Sequence, residues 1–397
     1  MSRRPLTNPP DRKLRIGVAG LGRAFSVMLP TFAADPRVAL VAAADPREEA
    51  RRRFVADFAG TAYARVEELC ADPAVEVVYV ATPHQFHAAH AVLAAEHGKH
   101  LLVEKPFALT LEDCDAIVAA ADRAGVRLVV GHSHSFDAPI LRLRVLVNGG
   151  AFGPVRMITA LNYTDYLYRP RRPEELDSAQ GGGAVFNQAA HQVDIVRLIG
   201  GGRVASVRAM TGAWDDARPT AGAYAALLTF ANGAFASLVY SGYGRFDSDE
   251  FDNWIGEMGQ SKEPYAGAAR PRFASGAEEI AIKAARNYGG PDYRPPPAAA
   301  AHQHFGTLIV SCAHADLRPV PTGVMIYQDG TARLEALPPP AVPRAEVIDE
   351  LYRAVVDGEP PLHDGPWAAA TVEVLLAMAR SGRESREIAL TRQVAVV

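Results

Sequence analysis

Cysteine is scarce in this chain, with three residues, Cys70, Cys114 and Cys312, among 397. They are scattered through apolar or helical segments without metal-ligand spacing, so a reduced, cytoplasmic setting is expected. Long hydrophobic runs are also missing. Apolar residues make up 49% of the chain, yet no run approaches the roughly 20 residues that a membrane helix needs, which argues for a soluble protein with no membrane partner. Charge of one sign is not in excess either. The 41 basic and 45 acidic residues are intermingled and sum to −4, leaving no broad basic surface for nucleic acid and pointing to a small-molecule partner. The opening MSRRPLTNPPDRK is basic and proline-rich but lacks the apolar stretch of a secretory signal, and reads as a short disordered leader. No internal repeat is visible.

Rhythm is what the chain does have. A length of 397 residues suggests two or three domains at about 150 residues each. Up to residue 132, short β-rich apolar runs alternate with helical patterns, the mark of βαβ units around a parallel sheet. Six strands are expected there: Leu14 to Ala19, Val38 to Ala44, Thr61 to Ala64, Val75 to Ala81, His100 to Val103 and Val126 to Gly131. That number suits a full doubly wound Rossmann domain. After Gly131 the strands come as hairpins, clearest in AYAALLTF-ANG-AFASLVY and VMIYQ-DG-TARLEAL, with Asn232-Gly233 and Asp329-Gly330 placed to supply the φ > 0 positions of tight turns. The expected fold is therefore α/β: an N-terminal Rossmann domain with a doubly wound parallel sheet over 1–132, then a C-terminal α+β domain over 133–397 with a mainly antiparallel open sheet. Within the latter, Phe246 to His304 reads as a Gly-, Pro- and Ala-rich excursion with at most one helix near Ala277 to Arg286. Helices over Ala345 to Asp357 and Trp367 to Ser381 close the chain.

The first strand runs straight into Gly20-Leu21-Gly22-Arg23-Ala24-Phe25. Gly20 and Gly22 match the first two glycines of G-x-G-x-x-G in the required strand-to-helix context, one for the tight turn and one for close approach of a pyrophosphate to the helix N-terminus at Arg23 and Ala24. Phe25 takes the place of the third glycine, where helix and strand normally pack closely, so the helix is expected to sit slightly farther out. Asp45 follows the second strand, 25 residues after Gly20. A carboxylate there accepts hydrogen bonds from the adenosine ribose and repels a 2′-phosphate, which favours NAD. Arg47, two residues on, can pair with a phosphate and keeps NADP open, or is simply solvated in the first turn of the next helix.

Glu104-Lys105-Pro106 ends the fifth strand at the carboxyl edge of the sheet, where ligands of doubly wound domains bind. Pro106 fixes φ and removes a donor as Lys105 is presented; the plain alternative is a strand-capping surface lysine. A helix over Gly181 to Gly200 puts Asn187, His191, Asp194 and Leu198 on one face. His132 and His134 form an H-x-H whose alternate residues project to one side, but no third ligand is evident and no metal is expected, so substrate contact or core hydrogen bonding is preferred. His302 and His304 carry the same ambiguity in a loop. Arg169, Arg171 and Arg172 in YRPRRPEEL are the best evidence for an acidic substrate, because guanidinium forks match carboxylates. They serve equally as loop residues paired with Glu174 and Glu175. Tyr163, Tyr166 and Tyr168 either wall a ring-shaped substrate or pack at the sheet edge.

In order along the chain, GVAGLGRA, D-P-R, VVYVATPHQFH, LLVEKP and GGGAVFNQAAHQVD resemble the glucose-fructose oxidoreductase and inositol dehydrogenase family, Gfo/Idh/MocA. Within it, HSHSFDAP, YLYRPRRPEEL and FDSDE are most similar to the phthalate 4,5-cis-dihydrodiol dehydrogenases, which oxidise a cis-diol on a cyclohexadiene dicarboxylate, giving 4,5-dihydroxyphthalate and NADH. The resemblance implies that Lys105 and His191 meet at the substrate hydroxyl, Lys105 polarising it and His191 accepting its proton. It also implies that Thr82, Pro83 and His87 touch the cofactor, as do Glu104 and Lys105, and that the protein is a homodimer or homotetramer pairing through the open face of the second sheet. Many members carry Asp where this chain has Asn187, so Asn187 is expected to orient substrate and leave the proton to His191. An imidazole near pKa 6.5 suits a general base, and a nearby lysine cation stabilises a developing alkoxide; a hydrogen-bonded helix histidine between domains is the alternative for His191. His134, Tyr163 and the three arginines complete the expected substrate wall. The function so implied is NAD-dependent oxidation of a ring alcohol, against a sugar or cyclitol dehydrogenase or a non-catalytic dinucleotide sensor.

Overall fold

Residues 12–131, 133–265 and 275–396 are described by the computed structural model; most of the leader, His132 and part of the excursion lie outside the described residues. The alternating apolar runs form β1 (Leu14–Ala19), β2 (Val38–Ala44), β3 (Thr61–Tyr63), β4 (Val77–Val80), β5 (His100–Val103) and β6 (Leu128–Val130). All pair in parallel, in the order β3-β2-β1-β4-β5-β6. Helices α1 (Arg23–Ala34), α2 (Glu48–Phe58), α3 (Val66–Ala71), α4 (His87–Glu96) and α5 (Leu111–Ala124) connect them. Strand order reverses between β1 and β4, which places a ligand crevice beyond their carboxyl ends.

Helix α6 (Ala138–Asn148) leads into a nine-stranded sheet made of β7 (Val155–Tyr163), β8 (Val204–Gly212), β9 (Ala223–Phe230), β10 (Phe235–Ser241), β11 (Thr307–Cys312), β12 (Asp316–Val320), β13 (Gly323–Gln328), β14 (Thr331–Ala336) and β15 (Ile388–Ala389). Pairing is antiparallel except between β7 and β10. In the two hairpin turns Gly233 and Gly330 take φ of +86° and +74°. Asn232 does not share the positive φ expected of it; its side chain accepts the Ala234 N–H instead. One face of the sheet, with Ile158, Ala160, Leu228 and Leu238, buries against α7 (Ala190–Gly200) and α10 (Gly365–Glu384). The other face carries exposed Met157, Leu227, Phe235 and Ile309, which strand register brings into two adjacent rows.

The excursion contributes α8 (Gly276–Arg286) and then Tyr288, which is fully buried. Its ring meets Phe25 edge-on at 5.1 Å, so the bulky residue in the third glycine's place is absorbed into a shared aromatic core. Helix α9 (Ala345–Tyr352), continued by a π turn over Arg353–Asp357, inserts Val347, Ile348 and Leu351 into the core of the first sheet. Helix α10 adds Ala368 and Val372 to the core on that sheet's opposite face. Each fully buried aliphatic side chain stabilises by roughly 1.5–3 kcal/mol, against a typical total of roughly 5–15 kcal/mol. Docking of the closing helices is therefore integral to the fold, and it sets the cleft between the two sheets. No helix among the described residues is long and apolar enough to cross a membrane.

Candidate active site

The cleft begins at the glycine turn. Gly20 has φ +96°, and a Cβ there would lie 2.8 Å from the Ala81 carbonyl oxygen, so only glycine lets β1 and the loop after β4 approach. A Cβ on Gly22 would meet nothing within 4 Å. The start of α1 is thus an open, uncapped N-terminus without an acidic residue in its first turn, which fits a pyrophosphate. Arg23 stands exposed there with Ala24 half-buried behind it, and the charges of Arg169 and Glu257 from the other side of the cleft act on it.

Asp45 departs from its expected role. It is buried, and its two oxygens accept the Leu21 N–H (2.8 Å), the Arg47 N–H (2.9 Å) and two guanidinium contacts from Arg47 (3.1 and 3.2 Å). Those four bonds fill the roughly four acceptor positions of a carboxylate, so ribose hydroxyls find none open. Arg47 is likewise engaged, donating also to the carbonyls of Leu21 (2.8 Å) and Tyr288 (3.2 Å). The pair acts as a staple for the glycine turn.

Three further expected cofactor contacts turn inward. His87 is buried with Nδ1 2.9 Å from the Pro106 carbonyl and Nε2 2.9 Å from that of Thr82, and burial pushes its pKa down to about 4. It ties the loop after β4 to the turn after β5 rather than facing the cleft. The Thr82 hydroxyl meets His90 Nδ1 at 3.1 Å, and buried Glu104 accepts the Tyr79 hydroxyl at 2.5 Å. Pro83 is half-buried on the rim. Lys105 is the residue that this scaffold sends across the cleft, where Nζ donates to the Asn187 carbonyl at 3.0 Å. Burial pushes its pKa below the ordinary lysine value, with the Glu104 and Glu257 carboxylates opposing.

The expected long helix over Gly181 to Gly200 opens instead with a π turn, Val185–Ala189, before α7. Asn187 lies in that turn, and both of its amide hydrogens are used, donating to the Gly181 and Gly183 carbonyls at 3.0 Å each. Its donors lock the glycine run rather than orienting substrate, and its backbone receives Lys105. His191 follows one turn later, buried, with its ring 4.8 Å from that of His134 and 4.7 Å from Phe305. Asp194 does not serve the cleft: its oxygens accept from Ser135 (2.5 Å), Trp367 Nε1 (2.6 Å) and Thr371 (3.1 Å). Arg197 adds bonds to the Trp367 carbonyl (2.9 Å) and Thr371 (2.7 Å), so α7 is clamped to α10 and His191 is held in place. Ser135 also meets His363 Nε2 at 2.9 Å, with His363 Nδ1 3.0 Å from Glu350. That series has the order of a nucleophilic triad, but Ser135 is wholly buried and hydrogen-bonded to Asp194, so it is a core network.

His134 is buried with Nδ1 2.7 Å from Asp137 and Nε2 3.5 Å from Glu257. Burial works against its charge, and the two carboxylates more than reverse that, raising its pKa to about 9. Glu257, from the excursion, is conversely held below the usual carboxylate range: burial opposes its charge, and His134, Arg169 and Lys105 overcome burial. Of the three arginines, Arg169 is exposed and pairs with Asp165 at 2.9 Å. Arg171 and Arg172 are held within the loop, although the Arg171 charge still acts on Lys105. Arg171 lies over the Tyr166 ring at 3.8 Å and donates to the Tyr166 carbonyl at 2.5 Å, while Arg172 pairs with Glu174 (2.9 Å) and Glu175 (3.5 Å). Helix α8 seals this loop through Lys283 on Glu175 and the Arg171 N–H on Glu279 (2.9 Å). Tyr163 is also displaced. Its neighbour Asn162 pairs in register with Tyr240, whose ring stacks on Phe305 on the His191 side, so Tyr163 projects from the opposite face. Tyr166 and Tyr168 are buried packing residues. His302 and His304 point to the carbonyls of Pro338 and Ile255, at 2.8 Å each.

Sequence reasoning missed Asp137, Glu257, Phe305 and Arg344. Asp137, three residues after His134, was open to discovery by spacing. Buried Arg344 caps α9 and holds Gln303 (3.0 Å) and the Met258 sulfur (3.1 Å) of the excursion; no local pattern marked it or Glu257.

Two family descriptions match the chain: an oxidoreductase family with NAD-binding Rossmann fold over residues 14–132, and a GFO/IDH/MocA C-terminal domain over 140–255. A 1-carboxy-3-chloro-3,4-dihydroxycyclohexa-1,5-diene dehydrogenase of Comamonas testosteroni is 48% identical over 378 residues, covering 93% of this chain and 95% of that protein. A crystal structure from Bordetella bronchiseptica RB50, of a protein put forward as a dehydrogenase, superposes with a TM-score of 0.89 at 42% identity, covering 95% of this chain and all of that one (100%). The WlbA dehydrogenase from Bordetella pertussis, solved with NADH and UDP-GlcNAcA, shares the fold at a TM-score of 0.66 and 22% identity, covering 96% and 99% of the two chains.

Proposed function

Because the chain belongs to the Gfo/Idh/MocA family of oxidoreductases, we propose that it oxidises a ring secondary alcohol on a carboxylated cyclohexadiene cis-diol, with NAD as hydride acceptor. The observation that carries this reading is the Lys105 ammonium anchored 3.0 Å from the carbonyl of Asn187, one turn ahead of His191, which ties the strand-end lysine to the helical segment that carries the histidine. Lys105 would polarise the hydroxyl and His191 would take its proton, and NAD held at the Gly20–Gly22 turn would supply the hydride acceptor. The resulting ketone tautomerises to an aromatic catechol, which favours oxidation. The open cradle at Gly22 receives the pyrophosphate. Arg47 has four of its five side-chain N–H donors committed to Asp45, Leu21 and Tyr288, which leaves little of the guanidinium for a 2′-phosphate and supports NAD.

Arg169 is the arginine of the three that α8 does not seal into the loop, which supports a substrate with one ring carboxylate more strongly than the two of the phthalate 4,5-cis-dihydrodiol. Likeness to the Comamonas protein, whose name carries one carboxyl group, points the same way. The deciding assay follows NADH formation on a carboxylated cyclohexadiene cis-diol, phthalate 4,5-cis-dihydrodiol and myo-inositol, with NAD and NADP in parallel. Turnover is expected on a carboxylated diol with NAD. Turnover on inositol alone would replace this reading with a cyclitol dehydrogenase, and NADH binding without turnover on any of the three would make the protein a sensor.

The free thiols of Cys70, Cys114 and Cys312 suit a reducing cytoplasmic compartment. The exposed rows of Met157, Leu227, Phe235 and Ile309 on the open sheet face support self-association into a homodimer or homotetramer. Sedimentation at micromolar concentration should give a multiple of the chain mass, and Phe235→Glu should lower it; a monomeric wild type refutes the assembly.

A further inference from the structure

The cleft collects positive charge from both sheets, and among the described residues the Glu257 carboxylate acts on cations from both sides of it. Lys105 and Arg23 come from the Rossmann side, Arg169 and His134 from the other, and the charge of Glu257 acts on each of the four. The neighbouring acids are each held by a closer contact, whereas Glu257 shares His134 with Asp137 at the longer distance of 3.5 Å. Asp137 is on His134 at 2.7 Å, Asp165 is on Arg169 at 2.9 Å and Glu104 accepts from Tyr79 at 2.5 Å. Glu257 is also rigidly presented. Its backbone carbonyl accepts the His304 N–H (3.3 Å), the next residue's sulfur is held by Arg344 (3.1 Å), and the Gly259 carbonyl accepts from Ala300 and Ala301 (3.1 Å each). About 30% of the Glu257 side chain remains exposed, and Oε1 lies 3.5 Å from His134 Nε2, beside the ring of His191.

We propose that Glu257 is the specificity residue that limits this cleft to substrates with a single ring carboxylate: it occupies, as a fixed anion, the share of the cation cluster that a second substrate carboxylate would need. A first carboxylate pairs with Arg169 and Arg23. A second one on the neighbouring ring carbon meets Glu257 across a partly dehydrated gap, where like charges repel strongly. The inference rests on the proposed oxidation of a carboxylated diol and narrows its substrate.

The experiment compares kcat/KM for a monocarboxylated cyclohexadiene cis-diol and for phthalate 4,5-cis-dihydrodiol in wild type, Glu257→Gln and Glu257→Asp. Wild type should favour the monocarboxylate. Glu257→Gln keeps shape and removes charge, and should move the ratio toward the dicarboxylate by on the order of 10- to 100-fold; Glu257→Asp keeps the charge and should hold the wild-type ratio. In parallel, calorimetry of the NADH-loaded proteins with 3,4-dihydroxybenzoate and 4,5-dihydroxyphthalate reads the same preference without turnover. A wild type that prefers the dicarboxylate, or a ratio unmoved by Glu257→Gln in both kinetics and binding, overturns the proposal. If wild type oxidises neither diol the proposed function fails, and the two catechol ligands still decide the role of Glu257.

Discussion

Lys105→Met is expected to lower kcat on the carboxylated diol by on the order of 10²–10³-fold, the usual cost of removing one preorganised donor at a developing oxyanion, while NADH still binds. Lys105 has three N–H donors, and the contact with the Asn187 carbonyl uses one of them. That contact fixes the direction of the ammonium and leaves the others for substrate. Burial between two sheets weakens the competition from water, so each remaining donor acts on the alkoxide at low effective dielectric. Methionine matches the stem in length and removes a buried charge, so the fold should survive and the loss should be chemical. Steady-state kinetics beside an NADH fluorescence titration separate the two effects. A variant that turns over at the wild-type rate would reduce Lys105 to a strand-end lysine and remove it from the mechanism.

Much of the scaffold behind this lysine is legible in the chain. VALVAAA is apolar throughout and HLLV is so after its first residue, as parallel strands buried on both faces must be, and both appear at their expected places. The Gly20 turn follows from its steric need, and Lys105 from its position at the end of an apolar strand. What fails to be read locally is how a side chain is spent once the fold has closed. Asp45 sits where a ribose ligand should, yet its acceptors go to Leu21 and Arg47. Arg169, Arg171 and Arg172 look alike along the chain. Lys283 and Glu279, over 100 residues away on α8, draw the loop of the latter two aside, and Arg169 is left outside that seal. The periodicity that groups Asn187 with His191 assumes an α-helix throughout, and the π turn over Val185–Ala189 changes how the first of them is presented. Glu257 lies in a segment with no repeating pattern at all, and its meaning comes wholly from the cations gathered around it.

The same closure decides which histidine takes the proton, and it leads to the second large effect. His134 and His191 lie ring to ring at 4.8 Å, and either could be nominated from sequence. His134 is flanked by Asp137 and Glu257 and keeps its proton until the pH is raised through about 9, so at neutral pH it has no lone pair to offer. His87 is neutral, but both ring nitrogens face backbone carbonyls, and His84 is turned to the Gln180 carbonyl at 2.7 Å. Among the described residues, His191 is the remaining base beside the Lys105 contact, clamped by the bonds of Asp194 and Arg197 to α10. His191→Asn should therefore lower kcat by on the order of 10²–10⁴-fold, the range for loss of a positioned general base, with cofactor binding retained. His134→Asn should act differently. It removes the cation that balances Glu257, so KM for the carboxylated substrate should rise more than kcat falls, and any loss of wild-type affinity as pH is raised through about 9 should vanish with it. A kcat collapse in His134→Asn alongside unimpaired turnover in His191→Asn would reverse the two roles.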